Sequence, residues 1–237
     1  LAYIDNINGE IRFKSGTTTS NGSTAAFGMF TDKYHSSSGI TPGVYNINDV
    51  NVAANSNSAE YLSLGVVPST VTNNNDVVVL VWNEGTTLKY AYNESPLQSG
   101  TVGVNNVKKS IGTWTVDNGP FGSGIGKYCK VAVDKKGGIH VAAYDQMKGD
   151  LKYAYRSGYK SGTWQTCTVD SYGIIGSEIS LDVAMSGSGN NAKPIPYISY
   201  YADSAVKPKI AYLKDVSSIS DGATKDYFTQ KWEVSYL

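Results

Sequence analysis

LKYAY stands at Leu88–Tyr92 and again, unchanged, at Leu151–Tyr155. PKIAY at Pro208–Tyr212 is a third copy with Ile for the first aromatic, and IRFKS at Ile11–Ser15 is a weaker one with Arg for Lys. In an extended chain, Leu and both Tyr of LKYAY share one face, and Lys and Ala share the other. That pattern predicts a half-exposed edge strand, with Lys placed to discourage pairing with a stray strand. The last three copies recur about every sixty residues, so an internal repeat governs the architecture.

A richer apolar run precedes each copy: VVVLVWN (Val77–Asn83), IHVAAYD (Ile139–Asp145) and YISYYAD (Tyr197–Asp203), with LAYID (Leu1–Asp5) in the same place before the first. Nearly continuous apolar character predicts strands buried on both faces. Each ends in Asn or Asp and a short polar turn, so the pair reads as a hairpin used four times. Further upstream lie CKVAVDKKGG (Cys129–Gly138) and ISLDVAMSGSG (Ile179–Gly189), and before those GTWTVD (Gly112–Asp117) and GTWQTCTVD (Gly162–Asp170). QKWEVSY (Gln230–Tyr236) looks like a further member of the last group. Four short antiparallel strands per unit is the strand count of a propeller blade. The expectation is therefore an all-β chain of about four blades, the first and last incomplete: 1–15 a half blade, 16–93 a blade with a long insert, 112–156 and 162–213 full blades, and 230–237 the first strand of another.

The pattern G-T-W…V-D…A-V-D-x-x-G-x-x-H-V-A-Y-Y-D…L-K-Y-A resembles bacterial β-propeller repeats, similar in plan to sialidase-type and lectin-type propellers. The match is good over Gly112–Arg156 and Gly162–Leu213, moderate over Asn57–Asn93 and partial at both ends. The resemblance implies a fold. It implies little about activity, because propellers host many functions.

Composition narrows the function classes. Charged residues are 17% and the formal net charge is zero, so there is no electrostatic footprint for nucleic acid or an anionic membrane. No apolar run approaches the ~20 residues of a transmembrane helix. Low charge with 18 Tyr and much Asn, Ser and Thr suits a secreted or cell-surface protein. Cys129 and Cys167 fall in neighbouring predicted strands. They form a disulfide if their Cα atoms come within about 7 Å, and are otherwise buried thiols.

Catalytic constellations are wanting. A sialidase holds its substrate carboxylate with three arginines, whereas Arg12 and Arg156 are the only two here and both take outer-edge positions of the repeat. The Asp-box S-x-D-x-G-x-T-W is reduced to SGYKSGTW at Ser157–Trp164. Most acidic residues, including Asp117, Asp134 and Asp170, map to turns rather than to a paired-carboxylate cleft. His140 lies inside an apolar strand, where it is packed and hydrogen-bonded, and His35 lies in the low-complexity insert. Neither finds the convergent ligands of a metal site. DNINGE at Asp5–Glu10 has calcium-loop spacing, but its counterpart DQMKGD carries Met147 and Lys148, so a turn explains the shared Gly better. No catalytic residue, metal or cofactor is expected.

Binding is the remaining class. Aromatic rings stack on sugars while Asn and Asp satisfy hydroxyls. Trp82, Tyr144 and Tyr200 or Tyr201 recur near one position of the unit, beside Asn83, Asp145 and Asp203, so Trp82, Asn83, Tyr144, Asp145, Tyr201 and Asp203 are the candidate contacts for a glycan or a host protein. Asp145 and Asp203 also read as equivalent turn residues, and the aromatics also read as wedges between blades. An incomplete first and last blade implies a partner chain, or another segment of a processed precursor, that supplies the missing strands. The rival expectation is a glycan-cleaving enzyme whose site those further blades complete.

Overall fold

A computed structural model describes residues 2–5, 10–15, 48–53, 59–72, 75–94, 114–213 and 231–237. The described chain is all-β and its strands run antiparallel to their neighbours, except at one bridge. β1 (Ala2–Asp5), β2 (Glu10–Ser15) and β3 (Asn48–Ala53) form a three-stranded sheet. β4 (Ala59–Val67), β5 (Val77–Glu84), β6 (Thr87–Asn93) and β7 (Thr115–Asn118) form a four-stranded meander. A second meander is β8 (Ile125–Val133), β9 (Ile139–Asp145), β10 (Asp150–Arg156) and β11 (Gln165–Asp170). A single parallel pair, Thr87 with Ile125, bridges these two meanders, the second and third sheets of the chain, and the last meander is the fourth. The last meander is β12 (Ile175–Ser186), β13 (Lys193–Ala202), β14 (Lys207–Leu213) and β15 (Trp232–Tyr236).

These pairings move the unit boundaries. The Trp-containing segments close a sheet instead of opening the next one. Thr115–Asn118 pairs with β6, Gln165–Asp170 with β10 and Trp232–Tyr236 with β14. The repeat units are thus 59–118, 125–170 and 175–236, in place of 112–156, 162–213 and a new unit at 230–237. Asn48–Ala53 likewise pairs with β2 and extends the first sheet beyond residue 15, so it does not open the second unit. The LKYAY strands are therefore interior strands: Lys89, Lys152 and Lys209 each have a neighbour on both sides. Lys152 and Lys209 are buried, and each is neutralised. The Lys152 ammonium donates to Asp150 at 2.9 Å and to the Thr168 hydroxyl at 2.7 Å, and the Lys209 ammonium donates to Asp170 at 2.8 Å.

The units pack face to face through the same positions. Leu88, Tyr90, Val79 and Val81 of the second sheet lie in one core with Cys129, Val131, Val141 and Ala154 of the third. Leu151, Tyr153 and Ala142 of the third lie in one core with Ile175, Ile179, Ile198 and Ala211 of the fourth. Ile11 of the first meets Ala59, Leu80, Trp82 and Ala91 of the second. In each case the Leu/Tyr face of one sheet is covered by the Lys/Ala face of the next. Side chains such as Tyr90 and Leu151, fully buried there, each contribute about 1.5–3 kcal/mol from removal of apolar surface from water.

A glycine marks two of these junctions. A Cβ on Gly126 would lie 2.4 Å from the Asn83 amide oxygen and 3.2 Å from the Leu88 nitrogen. One on Gly176 would lie 3.3 Å from the Leu151 Cα and 3.4 Å from the Tyr144 ring. The first strand of each new sheet starts directly against the second hairpin of the previous one, and the absent side chain permits that approach. Ala59 takes the corresponding place over Ile11.

Candidate functional site

Strand register corrects which residues are equivalent. Trp82 stands opposite Lys89, Ala143 opposite Lys152 and Tyr200 opposite Lys209. Trp82, Ala143 and Tyr200 are therefore one position, and Asn83, Tyr144 and Tyr201 the next. Asp145 pairs with Asp150 as Ala202 pairs with Lys207, so Asp203 is a turn residue one place beyond Asp145. The offset at Trp82 and Asn83 arises because the second sheet's hairpin turns in two residues, between Glu84 and Thr87, while the other two use four.

The six candidate contacts do not form one surface. Trp82 is fully buried, with its indole N–H donated to Glu84 at 3.0 Å. Asn83 is 1% exposed and donates to the Gly85 carbonyl. Asp145 is buried and caps its turn, accepting from the Met147 and Lys148 amides at 3.0 and 3.1 Å. That turn role agrees with the sequence expectation for Asp145. Tyr144 and Tyr201 are half-buried and Asp203 is exposed, which leaves these three as candidates.

The other chemistry-bearing residues serve the core. His140 is fully buried, with Nδ1 2.6 Å from the Tyr153 hydroxyl and Nε2 3.1 Å from Asp134. A neutral ring satisfies both if Nε2–H donates to the carboxylate and Nδ1 accepts from the phenol. Asp134 also accepts from the Lys136 and Gly138 amides, so the carboxylate ties the turn to the ring. Arg156 is buried rather than at an outer edge. Its guanidinium lies 4.7 Å from the centre of the Tyr90 ring and 4.4 Å from that of Trp164, and donates to the Gly158 and Tyr159 carbonyls.

Cys129 and Cys167 are both buried thiols, not joined in a disulfide. They are not in neighbouring strands, because β9 and β10 lie between β8 and β11. Three strand spacings of ~4.8 Å put them roughly 14 Å apart, beyond disulfide reach. The Cys129 thiol instead donates to the Tyr61 carbonyl at 2.9 Å, from the third sheet to the second.

That carbonyl belongs to a feature that sequence reasoning missed. Tyr61, Tyr128 and Glu178 have φ of +57°, +54° and +50°. Each lies where the register of its sheet's first strand shifts: between Glu60 and Ser63, Lys127 and Lys130, and Ser177 and Ser180. The same bulge thus recurs in β4, β8 and β12. Left-handed backbone costs a non-glycine residue roughly 1–2 kcal/mol, and the fold holds it three times at one position. β4 packs on β8 and β8 on β12, so the bulges are carried on adjacent strands. The Tyr61 and Tyr128 ring centres are 4.7 Å apart at 47°, and those of Tyr128 and Tyr144 6.1 Å apart at 62°. Tyr144, a candidate contact from the sequence, thereby joins a row of three tyrosines.

Two phenols of the row are shifted by their surroundings. Burial pushes the Tyr61 phenol up, and Tyr128, Glu60 and Glu178 push it further. Burial also raises Tyr144, with Asp203, Tyr128, Asp145 and Asp150 adding to it. Glu60, Glu178 and Asp203 are exposed and, among the described residues, engage in no ion pair.

No family model, curated protein or solved structure matches this chain. Among the described residues, no helix is long and apolar enough to cross a membrane. The expectations at His35 and in the Asp5–Glu10 turn, and most of the long insert, lie outside the described residues.

Proposed function

We propose that the chain is a β-propeller segment acting as a non-catalytic binding and scaffold module at the cell surface or in the extracellular space. The observation that carries this reading is the sheet stacking: three successive junctions use the same face, and two of them the same close-approach glycine. Repeated sheets stacked through equivalent faces are how a propeller buries its blades.

A partner supplies a further blade. The Leu/Tyr face that is buried in the second and third sheets is open in the fourth. Tyr197, at the position of the fully buried Val79 and His140, is 37% exposed, and Ile210 is half-buried where Tyr90 and Tyr153 are fully buried. Another sheet of the same repeat, carried by a partner chain, fits this face as each sheet fits the one before it. Binding is favoured over glycan cleavage at the tyrosine row. A tyrosine nucleophile needs an accessible phenolate, whereas Tyr61 and Tyr144 are both held in the phenol form by their surroundings.

The test pairs a glycan and protein-ligand array with a panel of chromogenic glycosides, using the purified chain. Saturable binding without glycoside turnover supports the reading. Turnover that survives purification to homogeneity sinks the non-catalytic assignment, and silence on every array sinks the binding role.

A further inference from the structure

Resting on the reading of the chain as a propeller segment that takes a further blade, we infer that this blade is the first sheet, β1–β3, of a second copy of the chain. It docks head to tail on the open face of the fourth sheet.

The open face departs from its covered equivalents at one rung. Cross-strand pairing sets Gly65, Val79, Tyr92 and Thr115 in line in the second sheet, and Ala132, His140, Tyr155 and Gln165 in the third. The same rung of the fourth reads Asp182, Tyr197, Tyr212 and Glu233. The first two rungs carry no acid and are roofed by the next sheet. A Cβ on Gly65 would lie 2.9 Å from the Val133 side chain and 3.6 Å from that of Val131, and His140 is fully buried. In the fourth sheet the Tyr197 and Tyr212 rings stack on each other, 5.7 Å apart at 23°. Asp182 beside them is exposed and, among the described residues, in no ion pair, while Glu233 at the far end is already engaged.

Each internal junction lays the Lys/Ala face of one sheet on the Leu/Tyr face before it, so the occupant must offer a Lys/Ala face. The first sheet has one to spare. Its Ile11 side is taken by the second sheet, and among the described residues no sheet packs on the other side. Register puts Arg12 there at the place of Lys89, since Arg12 pairs with Asn51 as Lys89 pairs with Asn118. Two residues on, Lys14 takes the place of Ala91. That alanine is fully buried in all three junctions, as Ala91, Ala154 and Ala211. A lysine in its stead would strand a charge against the rungs of the second and third sheets, and is matched on a rung that bears acids.

The two departures therefore answer each other. Where the covering alanine becomes Lys14, the covered rung gains Asp182 and Glu233. A lysine laid over the stacked Tyr197 and Tyr212 rings has apolar surface under its stem and a carboxylate at either end of the rung. Asp49 stands across from Lys14, and Asp5 and Glu10 lie at the turn end, so the match is local to this rung.

The chain's own first sheet does not serve. It packs on β4, the fourth sheet packs on β8, β9 and β10, and among the described residues no comparable packing joins the first sheet to the fourth. One chain thus carries both halves of a heterologous interface, which closes into a ring when the rotation per copy allows. Two copies of four sheets make about eight blades, within the usual range of propellers, so the expected assembly is a closed pair.

Sedimentation equilibrium of the purified chain over a concentration series reads the assembly. Expected is a reversible pair at twice the mass of one chain. Lys14→Asp and Asp182→Lys should each weaken it by about tenfold or more, and a chain carrying both should regain it. An equimolar mixture of the two single variants should also pair, because one contact of the mixed pair keeps both native partners. Circular dichroism matching the parent shows that each variant is folded. A monomer at every concentration overturns the second copy as occupant, and saturable array binding by that monomer leaves the binding-module reading standing. Association weakened by Asp182→Lys and indifferent to Lys14→Asp overturns the first sheet as the occupant. Association unmoved by either variant overturns the docking face. A pair that behaves as expected and also turns over glycosides keeps this interface and overturns the non-catalytic reading.

Discussion

The Lys209 ammonium lies 2.8 Å from the Asp170 carboxylate, and this ion pair fastens the fourth sheet to the third. The same carboxylate oxygen accepts from the Tyr200 hydroxyl at 2.7 Å, and both charged side chains are less than a tenth exposed. Burial alone would raise the Asp170 carboxyl, but Lys209, the Tyr172 amide and the Tyr200 hydroxyl hold it below its ordinary value. Removing one partner of a buried pair strands the other, at a cost of about 3–5 kcal/mol. Lys209→Met is expected to lose that much by urea denaturation. Because the folded carboxyl is more acidic than the unfolded one, its contribution is complete above about pH 4 and is lost as pH falls through the lowered value. The variant's stability should therefore fall less steeply in that acid range than the parent's.

His140 acts in the same direction at a higher pH. Burial pulls its proton affinity down against the attraction of Asp134, so the folded ring resists protonation. The unfolded chain takes up that proton near pH 6.5, so stability is complete above that pH and falls below it by up to about 1.4 kcal/mol per pH unit. His140→Gln is expected to be less stable at pH 8, since it breaks the bonds to Asp134 and Tyr153, and to show a flatter decline between pH 6.5 and 5. Thermal melts across that range check both. An unchanged slope contradicts a buried neutral imidazole.

Val206 occupies a glycine's place. It ends the four-residue turn between Ala202 and Lys207, where the turn between Asp145 and Asp150 ends in Gly149. Their φ values are +54° and +74°, and Val206 is 72% exposed, so its side chain gains little from packing. Val206→Gly relieves a β-branched residue of left-handed strain and should stabilise the chain by about 1 kcal/mol, read as a higher denaturation midpoint. A loss of stability would show that the strain is absent.

The two thiols should be silent in the native protein. Burial pushes the Cys129 thiol up to about 12, and Cys167 is 1% exposed. Ellman's reagent at pH 8 is expected to label neither until denaturant is added, and then both, without reductant. Labelling of neither thiol in denaturant, reversed by reductant, would reveal a disulfide.

Much of the fold was legible because Leu151, Tyr153 and Tyr155 alternate with Lys152 and Ala154 and repeat in two other places. The phase of the repeat was not. A periodic sequence says that Thr115–Asn118 lies between two hairpins, and only hydrogen bonding to β6 says to which it belongs. Equivalence slipped by one residue at Trp82 because hairpin turns of two and four residues were aligned as if equal. The tyrosine row was half visible, through Tyr144. Tyr61 and Tyr128 were hidden because nothing in the residue type announces a left-handed bulge, which tyrosine disfavours and the surrounding sheets impose.

Double electron–electron resonance tests the central claim, that these sheets are blades of a propeller. One labelled pair is placed at Leu64 and Ser180, on the first strands of the second and fourth sheets, and the other at Val116 and Ser235, on the last strands of the same sheets; all four positions are exposed. Blades radiate from a centre, so the last-strand pair should be clearly farther apart than the first-strand pair. Equal separations would describe sheets stacked in parallel and would contradict the propeller.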